Sequence, residues 1–201
     1  MALKRCLDVA AAAWALVVLS PVLAACALLV KFSSPGPVLF SQPRVGRRGR
    51  LFRMWKFRTM FQNGDEILAR HLENDPAARE EWRRYYKLKK DPRVTPVGRI
   101  LRRYSLDELP QFWNVLRGDM SLVGPRPYLE REVAPYAHEI GPVIAVRPGL
   151  TGLWQISGRN RTTFEERLRM DQRYFTGWSL RNDLAILLKT VRVVCTGDGA
   201  Y

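Results

Sequence analysis

The chain has 201 residues, with 33 Lys and Arg against 19 Asp and Glu, a net charge of +14. That length supports one domain with a modest core, and the absence of a repeating period or low-complexity tract excludes a solenoid or array. The charge requires an anionic partner such as nucleic acid, acidic lipid or a phosphorylated substrate, and Cys6, Cys26 and Cys195, an odd set without metal-ligand spacing, exclude a disulfide framework.

Residues 9–30 carry no charge, and a helix of that length, at ~1.5 Å per residue, runs roughly 33 Å, enough to cross a bilayer's hydrocarbon core. Lys4 and Arg5 precede this run, while Lys31, Arg44, Arg47, Arg48 and Arg50 follow it, so both ends read as cytoplasmic. A straight span cannot satisfy both flanks. At the midpoint, Pro21 lacks an amide donor and crowds the carbonyl of Val17, while the Ser20 hydroxyl can bond a nearby carbonyl in compensation. Two half-helices of ~10 residues, entering and leaving by one face, reconcile the length with the basic ends. An ordinary single-pass anchor is the alternative that hydropathy leaves open. Leu23-Ala24-Ala25-Cys26 also resembles a lipoprotein processing site, but the apolar run continues past it into strongly basic sequence and Asp8 precedes it, which oppose export.

Ser33-Ser34-Pro35-Gly36-Pro37 is a turn-rich exit from this segment. Residues 38–42 and 51–57 read as strands of a hairpin around Gly46-Arg47-Arg48-Gly49. Residues 64–90 are charged and helix-forming, with Trp82, Tyr85 and Tyr86 beside a run of cations. That pattern suits a helix lying in the lipid headgroup layer, or a solvated helix with an aromatic inner edge. A further helix is predicted over residues 109–116, stopped by Arg117-Gly118. Thr163-Phe164-Glu165-Glu166 has the form of a capping box opening a helix towards Tyr174, and residues 180–194 have helical apolar spacing. The fold class is α+β and helix-rich. Residues 1–32 form a re-entrant membrane helix-break-helix. Residues 33–201 form a small cytoplasmic, membrane-associated catalytic domain with a short β-hairpin and interfacial amphipathic helices.

Chemistry-bearing residues concentrate between Arg102 and Arg126. Asp107 and Glu108 stand just before the helix of residues 109–116. If Asp107 caps it, Pro110 falls in the first turn, where its missing donor costs little. Free amides there would hold an anion and attract a phosphate. Arg102, Arg103 and Arg126 add positive charge, and Pro125 and Pro127 stiffen the backbone around Arg126, which favours a bidentate grip on phosphate. Asp107 as a cap alone, and arginines that are merely solvated, are the competing readings. No zinc-finger spacing, RNA-recognition motif or glycine-rich phosphate loop is present, and the arginines cluster with carboxylates, so nucleic acid is not the expected partner.

Four stretches together resemble the bacterial sugar transferase family, the monotopic phosphoglycosyl transferases. They are Lys56-Phe57-Arg58-Thr59-Met60, Ser105-Leu106-Asp107-Glu108-Leu109-Pro110-Gln111, residues 114–127 ending in Gly124-Pro125-Arg126-Pro127, and Pro148-Gly149-Leu150-Thr151-Gly152 through Gly158-Arg159-Asn160. The resemblance implies transfer of a sugar-1-phosphate from a UDP-sugar to polyprenyl (undecaprenyl) phosphate, with release of UMP. It implies Asp107 as the nucleophile, esterified by the phosphosugar, with Glu108 completing the dyad and Mg2+ held near Asp107 and the donor diphosphate. Lys56, Arg58, Arg102, Arg126, Arg159, Asp171 and Asp183 match the family's substrate-site positions, and Ser20-Pro21 matches the break of its re-entrant helix. It further implies residence at the cytoplasmic face of the bacterial inner membrane and a first step in exopolysaccharide, capsule, O-antigen or glycoprotein glycan assembly. The chain reads as the minimal catalytic form, and the resemblance leaves room for a homodimer. Gly199-Ala200-Tyr201 resembles the exopolysaccharide and hexose branch, while the region of Gln155-Ile156-Ser157 does not distinguish hexose from N-acetylhexosamine.

Overall fold

The apolar N-terminal run breaks where its proline stands. In the computed structural model, which describes residues 2–85, 88–157 and 162–196, it forms α1 (Ala2–Val18) and α2 (Ser20–Ser33), bent by 62°. Pro21 occupies the first turn of α2, where a missing amide costs little, and the Ser20 hydroxyl donates to the Val17 carbonyl at 2.7 Å. Among the described residues no single helix is long and apolar enough to cross a membrane, whereas the bent pair is by length and composition. The two helices, of 17 and 14 residues, are longer than the sequence suggested. The reason is that α1 starts at Ala2 and buries one face, Asp8, Ala12 and Ala15, in the rest of the protein. Its other face leaves Trp14 and Val17 about two-thirds exposed or more, and Phe32 of α2 is 85% exposed.

Strands β1 (Leu39–Val45) and β2 (Leu51–Phe57) form the expected antiparallel hairpin, paired from Leu39 with Phe57 to Val45 with Leu51. Arg48 and Gly49 at its tip take left-handed backbone angles, φ 58° and 76°. The charged segment that follows departs from expectation. It is two helices, α3 (Gly64–Asn74) and α4 (Pro76–Tyr85), because Pro76 cannot continue the first. Their apolar edges close on each other: Leu68, Leu72, Ala78, Trp82 and Leu88 form one cluster, and the Arg93 guanidinium lies 5.0 Å from the Trp82 ring centre. Trp82 therefore packs inward between the two helices, while the Tyr85 side chain and Tyr86 lie outside the described residues.

Beyond it come α5 (Pro96–Arg103), a 3-10 turn (Leu106–Glu108), α6 (Gln111–Arg117), β3 (Ser121–Val123) and the single-turn helices α7 (Glu130–Val133) and α8 (Gly141–Ile144). The chain ends with β4 (Gly149–Thr151), α9 (Leu153–Ile156), α10 (Phe164–Thr176) and α11 (Leu180–Thr196). Strands β3 and β4 pair in parallel, Ser121 with Gly149 and Val123 with Thr151. Helix α6 is capped differently from the expectation, since Pro110 is its N-cap and Asp107 sits a turn earlier in the 3-10 segment; Gly118, at φ 90°, stops it as expected. The capping box of α10 is realised, with Thr163 Oγ1 accepting from the Glu166 amide at 3.2 Å and Glu166 Oε2 accepting from the Thr163 amide at 2.8 Å. The main core joins Ala12, Met54, Val115, Met120, Val123, Tyr174 and Ile186, so α1 is packed into the domain it precedes. An exposed apolar stripe lies on α11, at Leu180, Leu184, Leu188 and Val191.

Candidate active site

The turn carrying the two adjacent acids is fixed from both sides. Thr95 caps α5 by accepting from the Gly98 amide at 2.9 Å, and Gly98 lies so close to the Thr59 carbonyl that a Cβ would fall 2.1 Å from it. Only glycine permits that approach, and it pins α5 against the end of β2. Arg102 Nε then donates to Thr59 Oγ1 at 2.9 Å. Ser105 reverses the chain in the left-handed region, at φ 54°, ψ 22°, which is strained for a residue with a Cβ. The reversal lays the acids against β2. Lys56 Nζ donates to Glu108 Oε1 at 2.6 Å and stands 3.9 Å from Asp107 Oδ2.

Asp107 is 7% exposed. Burial pushes its carboxyl pKa up; Lys56 opposes the shift, Glu108 adds to it, and Arg102 opposes it. The Arg102 pKa is in turn lowered by its own burial, against the pull of Asp107 and Asp91. The turn thus holds a poorly solvated carboxylate beside cations.

A second cationic group is built around Arg126. The Arg126 amide donates to Asp171 Oδ2 at 3.0 Å, and the Tyr128 hydroxyl donates to the same oxygen at 2.6 Å. The Arg126 guanidinium lies 4.7 Å from the Trp154 ring centre, with Arg167 at 5.4 Å from that ring. Stacking and the flanking prolines hold this side chain in place. Asp171 is buried and its pKa is raised to about 6, chiefly by burial, against the bonds from Tyr128 and the Arg126 amide.

Arg44 links the two groups, and sequence reasoning missed it. Its Nη1 donates to the Pro127 carbonyl at 3.2 Å and its Nη2 to Gln42 Oε1 at 2.8 Å. Its pKa is lowered to about 10, first by burial and then by Arg126, against the opposing pull of Glu132 and Glu108. A signal was available: Phe40 pairs with Lys56 and Arg44 with Phe52, so Arg44 and Lys56 share one face of the hairpin. Ending the first strand at residue 42 hid that relation.

The structure does not gather every expected residue. Arg58 points away, Nη2 donating to the Ser34 and Val30 carbonyls at 2.6 and 3.3 Å, so it closes the end of α2. Asp183 is distant from the acid turn in its bonding. Its oxygens accept from Lys4 at 2.7 Å, Tyr174 at 2.8 Å and Trp178 at 3.2 Å, tying α11 to α1. Asp171 positions Arg126 by its backbone. Arg159 lies outside the described residues.

Among the described residues no three His, Cys, Asp or Glu side chains converge as a metal cage. Asp107 and Glu108 offer one or two carboxylate oxygens in place of such a cage. That donor set fits Mg2+, which is commonly held by one or two carboxylates and completed by substrate phosphates and water.

The family model described as bacterial sugar transferase matches residues 1–197. The chain is 48% identical over 200 residues to the undecaprenyl-phosphate galactose phosphotransferase of Salmonella typhimurium, covering 99% of this chain and 42% of that protein. It is 48% identical over 198 residues to the exopolysaccharide production protein ExoY of Sinorhizobium fredii, covering 98% of this chain and 88% of the relative. It is 44% identical over 208 residues to the UDP-glucose:undecaprenyl-phosphate glucose-1-phosphate transferase of Caulobacter vibrioides, covering 98% and 72%. The chain thus spans less than half of the Salmonella relative and most of the Sinorhizobium one. With a match of this extent and relatives of this identity, the chain belongs to the bacterial sugar transferase family.

Proposed function

We propose that the protein moves a sugar-1-phosphate from a UDP-sugar to undecaprenyl phosphate and releases UMP, through a phosphosugar ester on Asp107. The observation that carries this reading is the buried, under-ligated Asp107 carboxylate in a strained turn, faced by Lys56, Arg102 and, across Glu108, Arg44. The names of the relatives support the donor and acceptor classes, since they include UDP-galactose and UDP-glucose transferases acting on a lipid carrier.

A carboxylate oxygen of Asp107 attacks the phosphorus bearing the sugar. The phosphorus–oxygen bond to UMP breaks, and its electron pair leaves on UMP. An oxygen of the lipid phosphate then attacks the same phosphorus, and the electron pair of the Asp107 ester bond returns to the carboxylate. Magnesium held by Asp107 and Glu108 would supply charge neutralisation at the donor diphosphate. Arg102, Arg126, Arg44 and Arg159 would grip phosphate oxygens, and Lys56, paired with Glu108 and close to Asp107, offsets the negative charge of the two acids. The bent α1–α2 pair, re-entrant at the cytoplasmic face of the inner membrane, would hold the site where the lipid phosphate emerges. The step would open assembly of an exopolysaccharide or a related surface glycan.

The test is to incubate the purified chain, Mg2+ and undecaprenyl phosphate with UDP-galactose, UDP-glucose and UDP-N-acetylgalactosamine, and measure UMP. Rapid-quench peptide mapping during turnover should find the phosphosugar on the peptide carrying Asp107. An adduct elsewhere, or no enzyme-linked species during productive cycling, sinks the mechanism. Cysteines placed at Ala2 and Lys31 should both react with an impermeant thiol reagent from the cytoplasmic side; labelling from opposite sides replaces the re-entrant pair with a spanning anchor.

A further inference from the structure

At the end of α6 opposite the acid turn lies a cleft of about 280 Å³, with Lys4, Arg5, Arg47, Arg147, Phe175 and Trp178 among its lining residues. Its charges are unevenly matched. Lys4 is neutralised by Asp183 at 2.7 Å and Asp8 at 3.6 Å. Asp8 is the one acid lining the cleft, and its oxygens are already taken by the Ser121 hydroxyl at 2.7 Å and the Leu122 amide at 3.2 Å.

Among the described residues, the hydrogen-bond partners of the three arginine side chains are backbone carbonyls. Arg5 donates to the Val115 and Leu116 carbonyls at 2.7 and 3.1 Å, Arg147 Nε to the Gly118 carbonyl at 2.7 Å, and Arg47 Nε to the Ala145 carbonyl at 3.3 Å. Among the described residues no carboxylate stands within ion-pair distance of any of them. The carbonyl end of a helix as short as α6 supplies at most about half a negative charge, which leaves most of the cationic charge unmatched. Their repulsion outweighs the one nearby acid: burial lowers the Arg147 pKa first, Arg5 and Arg47 lower it further, and Asp8 opposes them. Carbonyl bonds orient these guanidinia without neutralising them, the arrangement of a preorganised anion grip. Phe175 and Trp178 add an apolar wall beside it.

We propose that this cleft binds a net-anionic phosphate ester beside an apolar wall, the chemistry shared by an acidic phospholipid headgroup and a soluble phosphate monoester. The proposal is independent of the reaction assigned to Asp107, because the two sites lie at opposite ends of α6. Occupancy would draw together α1 through Arg5, the hairpin tip through Arg47 and the approach to β4 through Arg147.

The test uses the purified full chain in a neutral detergent. Dioctanoyl phosphatidylglycerol, dioctanoyl phosphatidylcholine and glycerol-3-phosphate are titrated by calorimetry and thermal shift. Phosphatidylglycerol should bind and raise the Tm. Arg47→Gln and Arg147→Gln should each weaken it about tenfold, the effect of losing one charge-assisted contact, and Asp107→Asn should leave it unchanged. Arg47 makes one long bond on the surface, so its variant tests the idea even if Arg147→Gln fails to fold. Binding of phosphatidylglycerol without glycerol-3-phosphate assigns a lipid headgroup, and binding of both assigns a phosphate-ester site open to soluble ligands. Equal binding of phosphatidylcholine, or full-affinity phosphatidylglycerol binding by Arg47→Gln, overturns the proposal.

Discussion

Two buried acids, Asp107 and Asp183, show how differently one protein treats the same side chain. They are 7% and 6% exposed, so burial penalises both charges alike. Asp183 recovers that cost through Lys4, Tyr174 and Trp178, and its neighbour Asp8 does the same through Ser121, the Leu122 amide and Lys4. These carboxylates are saturated, Asp183 joining α11 to α1 and Asp8 joining α1 to β3. Among the described residues, Asp107 has its own backbone amide, Lys56 at 3.9 Å and the charge of Arg102. A carboxylate left short of donors keeps lone pairs for an electrophile; one wrapped in donors has become part of the frame.

The comparison breaks first at Asp107 itself. Asp107→Asn should lower turnover by roughly 10⁴-fold or more, as loss of a nucleophile does elsewhere, and abolish the trapped phosphosugar. The Tm should hold or rise, because a poorly compensated buried charge is gone. Substantial turnover in this variant would remove Asp107 from the chemistry. The converse is Asp183→Ala, which takes the acceptor from the Trp178 indole and leaves Lys4 with Asp8 alone and Tyr174 with the Val123 carbonyl alone. A loss of about 3–5 kcal/mol in stability is expected, read as a fall in Tm, with turnover per folded molecule within a few-fold of wild type. Native Tm with lost turnover would place Asp183 among the substrate-binding groups instead.

Asp171 sharpens the contrast through pH, since its ligation is incomplete: Oδ1 has no partner among the described residues. Its folded pKa of about 6 lies above the ordinary 3.8, so near pH 5 the folded protein keeps a proton that the unfolded chain has released. The associated stability is full below about pH 4 and is lost as pH rises through about 6, a change of about 3 kcal/mol. Thermal unfolding of wild type and Asp171→Asn at pH 4 and pH 7 checks this, and wild type should lose ground to the variant by that amount. A gap that stays constant with pH contradicts it. At Lys56 the sign concerns activity. Lys56 draws the raised Asp107 pKa downward, so Lys56→Gln should move the acid limb of the pH–rate profile to higher pH and lower kcat on that limb. An unmoved limb would mean that Lys56 serves Glu108 alone.

The parts of this contrast that could be read from sequence were local. Ser20-Pro21 marks a break, Thr163 and Glu166 a cap, and Gly118 a stop, because each acts through its own backbone neighbourhood. The saturated acids were not legible, since Lys4 and Asp183 meet across 179 positions and the parallel pairing of β3 with β4 depends on the same packing. Motif membership placed Arg58 with Lys56, but two residues apart on the chain is not one face once the strand has ended. Arg58 turns to the carbonyls of α2. Arg44 escaped for the opposite reason, because its relation to Lys56 exists only in the register of the hairpin.

The smallest expected effect tests whether the strain at Ser105 matters to Asp107. A non-glycine residue at φ 54° carries a penalty of about 1 kcal/mol or more in the folded state. Ser105→Gly removes that penalty but makes the unfolded chain more flexible by a similar amount, about 0.4–1 kcal/mol. The two nearly cancel, so the Tm should stay close to wild type. If the turn is held in order to aim Asp107, a glycine free to leave the left-handed region should lower kcat about fivefold while donor KM stays unchanged, because the phosphate-gripping arginines lie on other elements. Unchanged kcat would show that Lys56, Arg102 and the packing of α5 against Thr59 suffice to place the carboxylate, and that the left-handed residue is only the shortest route from α5 to α6.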